Sequence, residues 1–157
     1  MRTDEEMKEI YRLYGDSVFK LALAYVKDYD TAQDIMQNVL IKYLLTSKHF
    51  QDKEHEKAWL LRVTKNECKM HIRLVWNSRR TSIDEITDKT YEAADADGVI
   101  DKVLALPLPY RMVIHLYYYE GYSVNEIAAI VGKKPGTVTS LMCRARKMLK
   151  EDLTDEV

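Results

Sequence analysis

Apolar residues recur at spacings of three and four along most of the chain, and the few breaks in that recurrence divide it into segments. Met7, Ile10, Tyr11, Tyr14, Val18, Leu21, Ala22 and Tyr25 form one stripe and predict a first amphipathic helix, which residues 28–30 interrupt. Asp30, with Gln33 three positions on, has the form of a helix start. Ala32, Ile35, Met36, Val39, Leu40, Tyr43 and Leu44 supply the stripe of a second helix. After a polar interval over residues 46–56, Trp59, Leu60 and Val63 belong to a third helix, which the pattern carries to about Trp76.

From residue 77 to 98 no apolar stripe is sustained, apart from a short turn expected around 82–86. Periodicity returns at Val99, Ile100, Val103, Leu104 and Leu106. Pro107 and Pro109 follow, and they suit the opening of a helix but not its interior. A helix over 110–119 is expected to end at Gly121, and another to start at Ser123, with Glu126 closing a capping box. The pattern predicts an all-α protein: two small helical domains, residues 1–78 and 99–157, joined by a flexible acidic linker over 79–98.

Composition narrows the function classes. Of 157 residues 46% are apolar and 31% charged, and five glycines and three prolines are too few for a collagen-like, low-complexity or turn-rich β chain. No apolar run approaches the roughly 20 residues that span a bilayer. Asp4, Glu5, Glu6 and Glu9 stand where a signal peptide would be basic and then apolar, so a cytoplasmic protein without membrane contact is expected. Cys68 and Cys143 fall outside any paired motif and are expected to be packing residues. His49 and His55 have no matching ligand pair, and His71 and His115 are isolated, so neither metal nor cofactor is expected. With no HExxH, P-loop or dinucleotide fingerprint, the chain is not expected to be an enzyme.

The net charge of −1 hides a segregation of signs. Residues 127–150 carry no acid, while Lys133, Lys134, Arg144, Arg146, Lys147 and Lys150 are basic. A second block holds Arg62, Lys65, Lys69, Arg73, Arg79 and Arg80 against Glu67 alone. Between the blocks, Asp84, Glu85, Asp88, Glu92, Asp95, Asp97 and Asp101 face only Lys89 and Lys102. Two basic blocks around an acidic connector fit a partner rich in phosphate.

The run SVNEIAAIVGKKPGTVTSLMCRARKML, from Ser123, has the pattern of a helix-turn-helix. Ile127, Ala128 and Val131 point one helix inward, Gly132 gives the tight turn its backbone freedom, and Val138 and Leu141 are expected to anchor the second helix. Pro135 and Gly136 fit the first turn of a recognition helix, whose N–H groups can face phosphate. Lys134, Thr139, Ser140 and Arg144 are left on the outer face, next to a DNA groove.

Beyond this motif the chain resembles the extracytoplasmic-function (ECF) group of bacterial sigma factors. LPLPYRMVIHLYYYEGYSVNEIAAIVGKKPGTVTSLMCRARKMLK resembles that group's fourth region, with its LP, Tyr-Arg, Gly-containing turn, EIA, GTV and RAR. DYDTAQDIMQNVLIKYLL resembles the second region, and AWLLRVTKNECKMHIR its continuation.

The resemblance implies a factor that directs RNA polymerase core to promoters and assists promoter melting. It implies contact of the largest-subunit clamp with Asp34, Gln37 and Asn38, and contact of the chain with the polymerase flap. The Phe50 region with Asn66, His71, Arg73 and Trp76 is implied to hold the minus-ten element. Lys133, Lys134, Gly136, Thr137, Thr139, Ser140, Arg144 and Lys147 are implied to bind the minus-thirty-five duplex. An anti-sigma factor is a further candidate partner, and the acidic linker is implied to thread a positively lined polymerase channel. Asn38 replaces the usual acid, Met70 a common Asp, Thr139 a common Lys and Leu141 a common Arg, and Glu67 is unusual. These departures bear on promoter sequence and leave room for a factor belonging to a mobile element. Two other classes stay open: a helix-turn-helix regulator that binds duplex operators without polymerase, and a small enzyme using Cys68 as nucleophile.

Overall fold

The computed structural model describes residues 1–79 and 99–154; the expected linker and its turn at 82–86 lie outside the described residues, except for Arg79, which ends a helix. The chain divides into two compact units, Met1–Tyr91 and Glu92–Val157. Among the described residues there is no strand, and no helix is long and apolar enough to cross a membrane.

In the N-terminal unit α1 (Asp4–Val26), α2 (Tyr29–Leu45) and α3 (Lys53–Arg79) pack pairwise around one core. α1 starts in a capping box: the Thr3 hydroxyl accepts from the Glu6 amide at 3.2 Å, and the Glu6 carboxylate accepts from the Thr3 amide at 2.7 Å. It ends at Lys27, whose left-handed backbone (φ 60°) turns the chain towards α2. The cap of α2 is Asp28, not Asp30. Asp28 has an extended backbone and its carboxylate accepts from the Thr31 amide at 3.3 Å, whereas Asp30 already lies in the first turn, where its charge suits the positive end of the helix.

Val18, Leu21, Val39, Leu60 and Leu61 fill the centre, with the Thr64 hydroxyl donating to the Leu60 carbonyl at 2.7 Å. Tyr11, expected in the buried stripe, is exposed; its ring lies beside Gly15, where a Cβ would come within 3.2 Å of it. α3 starts inside the expected polar interval because Asp52 accepts from the His55 amide at 2.8 Å. It continues past Trp76, since no Gly or Pro interrupts it before Arg79.

The C-terminal unit contains α4 (Val99–Ala105), α5 (Leu108–Ile114), α6 (Val124–Val131) and α7 (Pro135–Thr154). α5 begins earlier than the expected residue 110, with Pro109 accommodated in its first turn, and it runs into a π-helical turn at His115–Tyr119. α5 and α6 both pack on α7, and Met112, Val113, Leu116, Ile127, Ile130, Val138, Met142 and Ala145 meet between them. Arg111 is only 6% exposed, and its Nη1 donates to the Leu104 and Leu106 carbonyls at 3.1 and 3.2 Å. The charge thus sits at the carbonyl end of α4, where a cation is favoured, and ties α4 to α5.

Candidate nucleic-acid and polymerase interfaces

The helix-turn-helix is set by contacts a few residues apart. Ser123 accepts from the Glu126 amide at 3.2 Å while the Glu126 carboxylate accepts from the Ser123 amide at 3.0 Å, which starts α6. Gly132 ends it with a left-handed backbone (φ 72°), a conformation that a residue with a side chain rarely adopts. Pro135 then opens α7, where its missing N–H is no loss, and the Lys134 carbonyl accepts from the Val138 amide at 3.1 Å.

Val138, Met142 and Ala145 hold α7 against the core. Leu141, expected as an anchor, is only half-buried, and Met142 takes that place. Lys133, Lys134, Gly136, Thr137, Thr139, Ser140, Arg144 and Lys147 are all exposed. At about 100° per residue, Gly136, Ser140, Arg144 and Lys147 form one stripe opposite Val138. Thr139 lies to one side, and its hydroxyl donates to the Pro135 carbonyl at 3.1 Å. Cys143 is exposed on the outer side of α7 rather than packed, since five positions from Val138 carry it about 140° around the helix. Arg146 faces the π-helical turn instead: its Nε donates to the Tyr118 hydroxyl at 2.7 Å, and its guanidinium lies over Tyr117 and Tyr118.

On α3, Arg62, Asn66, Lys69, Met70 and Arg73 share an exposed face. His71 does not join it; five positions from Asn66, it is half-buried on the core side of the helix. Trp76 belongs to the last turns of α3. Glu67, the single acid of this basic block, is buried and paired with Lys42 of α2, so it does not oppose an anion on the outer face. Before α3, Phe50 lies 5.4 Å from the Trp59 ring and stacks on Tyr43 at 6.3 Å. The Tyr43 hydroxyl donates to Glu56 at 2.9 Å, and burial together with Glu56 pushes its pKa up, so the proton stays in that bond.

Asp34, Gln37 and Asn38 are exposed together on α2. The same face continues through Ile41 and Leu45, which are 52% and 66% exposed. The periodicity does not single these two out. Their one signal in the sequence is that they fall outside the apolar stripe that predicts this helix. Cys68 is fully buried, and burial, with Glu67 beside it, raises its thiol pKa, the reverse of what a nucleophile needs.

Two family models match the chain: "Sigma-70 region 2" over residues 10–78 and "Sigma-70, region 4" over residues 98–149. The RNA polymerase sigma-E factor of Streptomyces coelicolor is 30% identical over 161 residues, covering 94% of this chain and 86% of that one. The sigma factor SigV of Bacillus subtilis is 27% identical over 144 residues, covering 88% and 85%. Among solved structures, the sigma factor RpoE of Bartonella quintana, in complex with the anti-sigma factor NepR, superposes with a TM-score of 0.78 at 25% identity, covering 96% of this chain and 98% of that one. CnrH, in complex with the cytosolic domain of CnrY, shares the fold with a TM-score of 0.70 at 18% identity. With both regions matched in one chain and the sigma-E factor related over nearly its whole length, this protein belongs to the ECF group of the sigma-70 family of RNA polymerase sigma factors.

Proposed function

We propose that the chain carries core RNA polymerase to a two-part promoter, with the N-terminal unit at the minus-ten element and α7 at the minus-thirty-five duplex. The observation that carries this is the pairing of a region 2 match with a region 4 match in one chain, which a plain operator-binding regulator does not require.

Within this function the exposed face of α2 meets the polymerase clamp. Asp34, Gln37 and Asn38 supply its polar part and Ile41 and Leu45 its apolar end; the C-terminal unit meets the flap. Gly136 and Thr137 offer first-turn amides to a phosphate, and Lys133, Lys134, Arg144 and Lys147 add positive charge around them. Ser140, and Thr139 beside it, face base edges. At the minus-ten element, Asn66 and Arg73 line a basic face, with Trp76 on the same helix. His71, on the core side of that helix, stands apart from this face, and the Phe50 region receives a base as it unstacks. None of these steps hydrolyses a nucleotide; polymerase does the chemistry. The segment over 79–98 joins the two domains, residues 1–78 and 99–157, and its acids suit a positively lined channel. The chain works in the cytoplasm, where polymerase is, and an anti-sigma partner like that of the Bartonella quintana relative would regulate it.

Run-off transcription with core polymerase on a library of genomic promoters tests this. The expected result is a discrete set of transcripts that depends on the chain. Tight duplex binding without core, and no transcript with it, would indicate an operator-binding regulator instead.

A further inference from the structure

Arg2 lies outside every motif in the sequence, yet it makes three hydrogen bonds to one distant stretch of chain. Its amide donates to the Leu44 carbonyl at 3.2 Å, its Nε to the Tyr43 carbonyl at 3.0 Å, and its Nη2 to the Lys48 carbonyl at 2.6 Å. The guanidinium lies 4.1 Å from the Tyr43 ring centroid and 5.7 Å from that of Phe50. Tyr43 and Leu44 are in the last turn of α2, whose final carbonyls have no partner within the helix and carry its negative end. Lys48 is in the middle of the loop that follows, two residues before Phe50.

Apart from the ring contacts of Phe50, the loop's other backbone bonds are local: the Thr46 amide donates to the Lys42 carbonyl, the Lys48 amide to the Thr46 hydroxyl and the Glu56 amide to the Asp52 carbonyl. A planar guanidinium reaches two separated carbonyls through different nitrogens while its flat face covers an aromatic ring, whereas an ammonium offers all its donors from one atom.

We propose that Arg2 is a positioning residue for promoter opening: it ties loop 46–52 to the end of α2, so that Phe50 and Trp59, backed by the buried Tyr43, form a fixed surface before an unstacked base arrives. This rests on the function proposed above, in which that loop meets the minus-ten element. A surface already ordered does not have to be ordered at the moment of capture, so Arg2 acts on the opening step and not on the search for duplex or polymerase. A residue that merely capped α2 would act differently. Its loss would lower the stability of the unit and its affinity for polymerase together, and a lysine, which restores the charge, would repair most of the damage.

The test uses the full chain, tagged at its C-terminal end, with core polymerase and a promoter recovered by the run-off selection. That promoter carries 2-aminopurine at a non-template position of the minus-ten element, whose fluorescence rises on unstacking. Arg2→Ala is expected to slow the rise about tenfold while leaving core affinity, minus-thirty-five binding and melting temperature near wild type. Arg2→Lys should be nearly as slow. Phe50→Ala should also slow opening, and adding Arg2→Ala to it should cost little more, because both act on one surface. A wild-type rate for Arg2→Ala, full rescue by Arg2→Lys, additive effects with Phe50→Ala, or core affinity and melting temperature falling in step with opening would each overturn the assignment of Arg2. A wild-type chain that opens no promoter would overturn the minus-ten role of the unit and this proposal with it.

Discussion

In the C-terminal unit the features that present the recognition helix lie close together in sequence: the Ser123–Glu126 box, Gly132, Pro135, and the inward Val138 and Met142. In the N-terminal unit the loop around Phe50 is held by Arg2, more than forty residues away, and by Tyr43 and Trp59 from two different helices. One surface is built from local helix geometry and is in place once its helices are packed; the other depends on tertiary contacts that converge on a loop. Duplex DNA presents a groove of fixed shape, which a rigid helix suits. An unstacked base has to be received by a pocket, and a loop can form one only if distant elements hold it.

The strongest way to break this comparison is to destroy one unit and watch the other. Val138 is fully buried, so Val138→Asp places an unpaired charge in the core of the C-terminal unit and should cost several kcal/mol, enough to unfold it. Hydrogen exchange should then show lost protection over 99–154 and kept protection over 1–79. Loss across both segments would contradict two separately stable units.

Next in size is the polymerase face. Asp34→Arg should weaken core binding at least tenfold, about 1.4 kcal/mol, while an exposed charge change moves stability by less than about 0.5 kcal/mol. Competition binding to core together with thermal melting separates the two effects. On α7, Ser140→Ala should relax preference at one base pair by about 1 kcal/mol, whereas Lys134→Ala should weaken all duplexes alike and reduce the salt slope by about one. Selection of bound duplexes with each variant distinguishes them.

Smaller still are the caps. Ser123→Ala and Thr3→Ala should each cost about 1 kcal/mol, read from denaturant midpoints. Only the second sits next to Arg2 and should also slow promoter opening. The smallest effect concerns pH. The Asp52 carboxyl is held below its ordinary value, chiefly by the His55 amide and then by the His55 ring. Because the folded value lies below the unfolded one, the stabilisation is present at neutral pH and is lost as pH falls through the unfolded value and then the lowered folded one. Asp52→Asn should remove that acid-dependent part from a pH titration of helicity.

The same contrast explains what could be read from the residues. The capping box at Ser123, the turn at Gly132 and the outward Lys134, Ser140 and Arg144 are legible because each depends on neighbours within a turn or two. Asp28 and Asp30 compete for one cap on backbone angles that the sequence does not state. Cys143 reads as a packing candidate because residue type alone does not say whether a partner covers that side of the helix. The role of Arg2 has no sequence signal at all: its hydrogen-bond partners are carbonyls, which every residue carries.

Permanganate footprinting of the holoenzyme on a selected promoter tests the central claim most directly, since it reports unpaired thymines. The account predicts reactive thymines in an opened stretch that begins within the minus-ten element, with duplex protection at the minus-thirty-five element that depends on Arg144 and Lys147. Protection of a duplex site without core polymerase, and no reactive thymine when core is added, would contradict it.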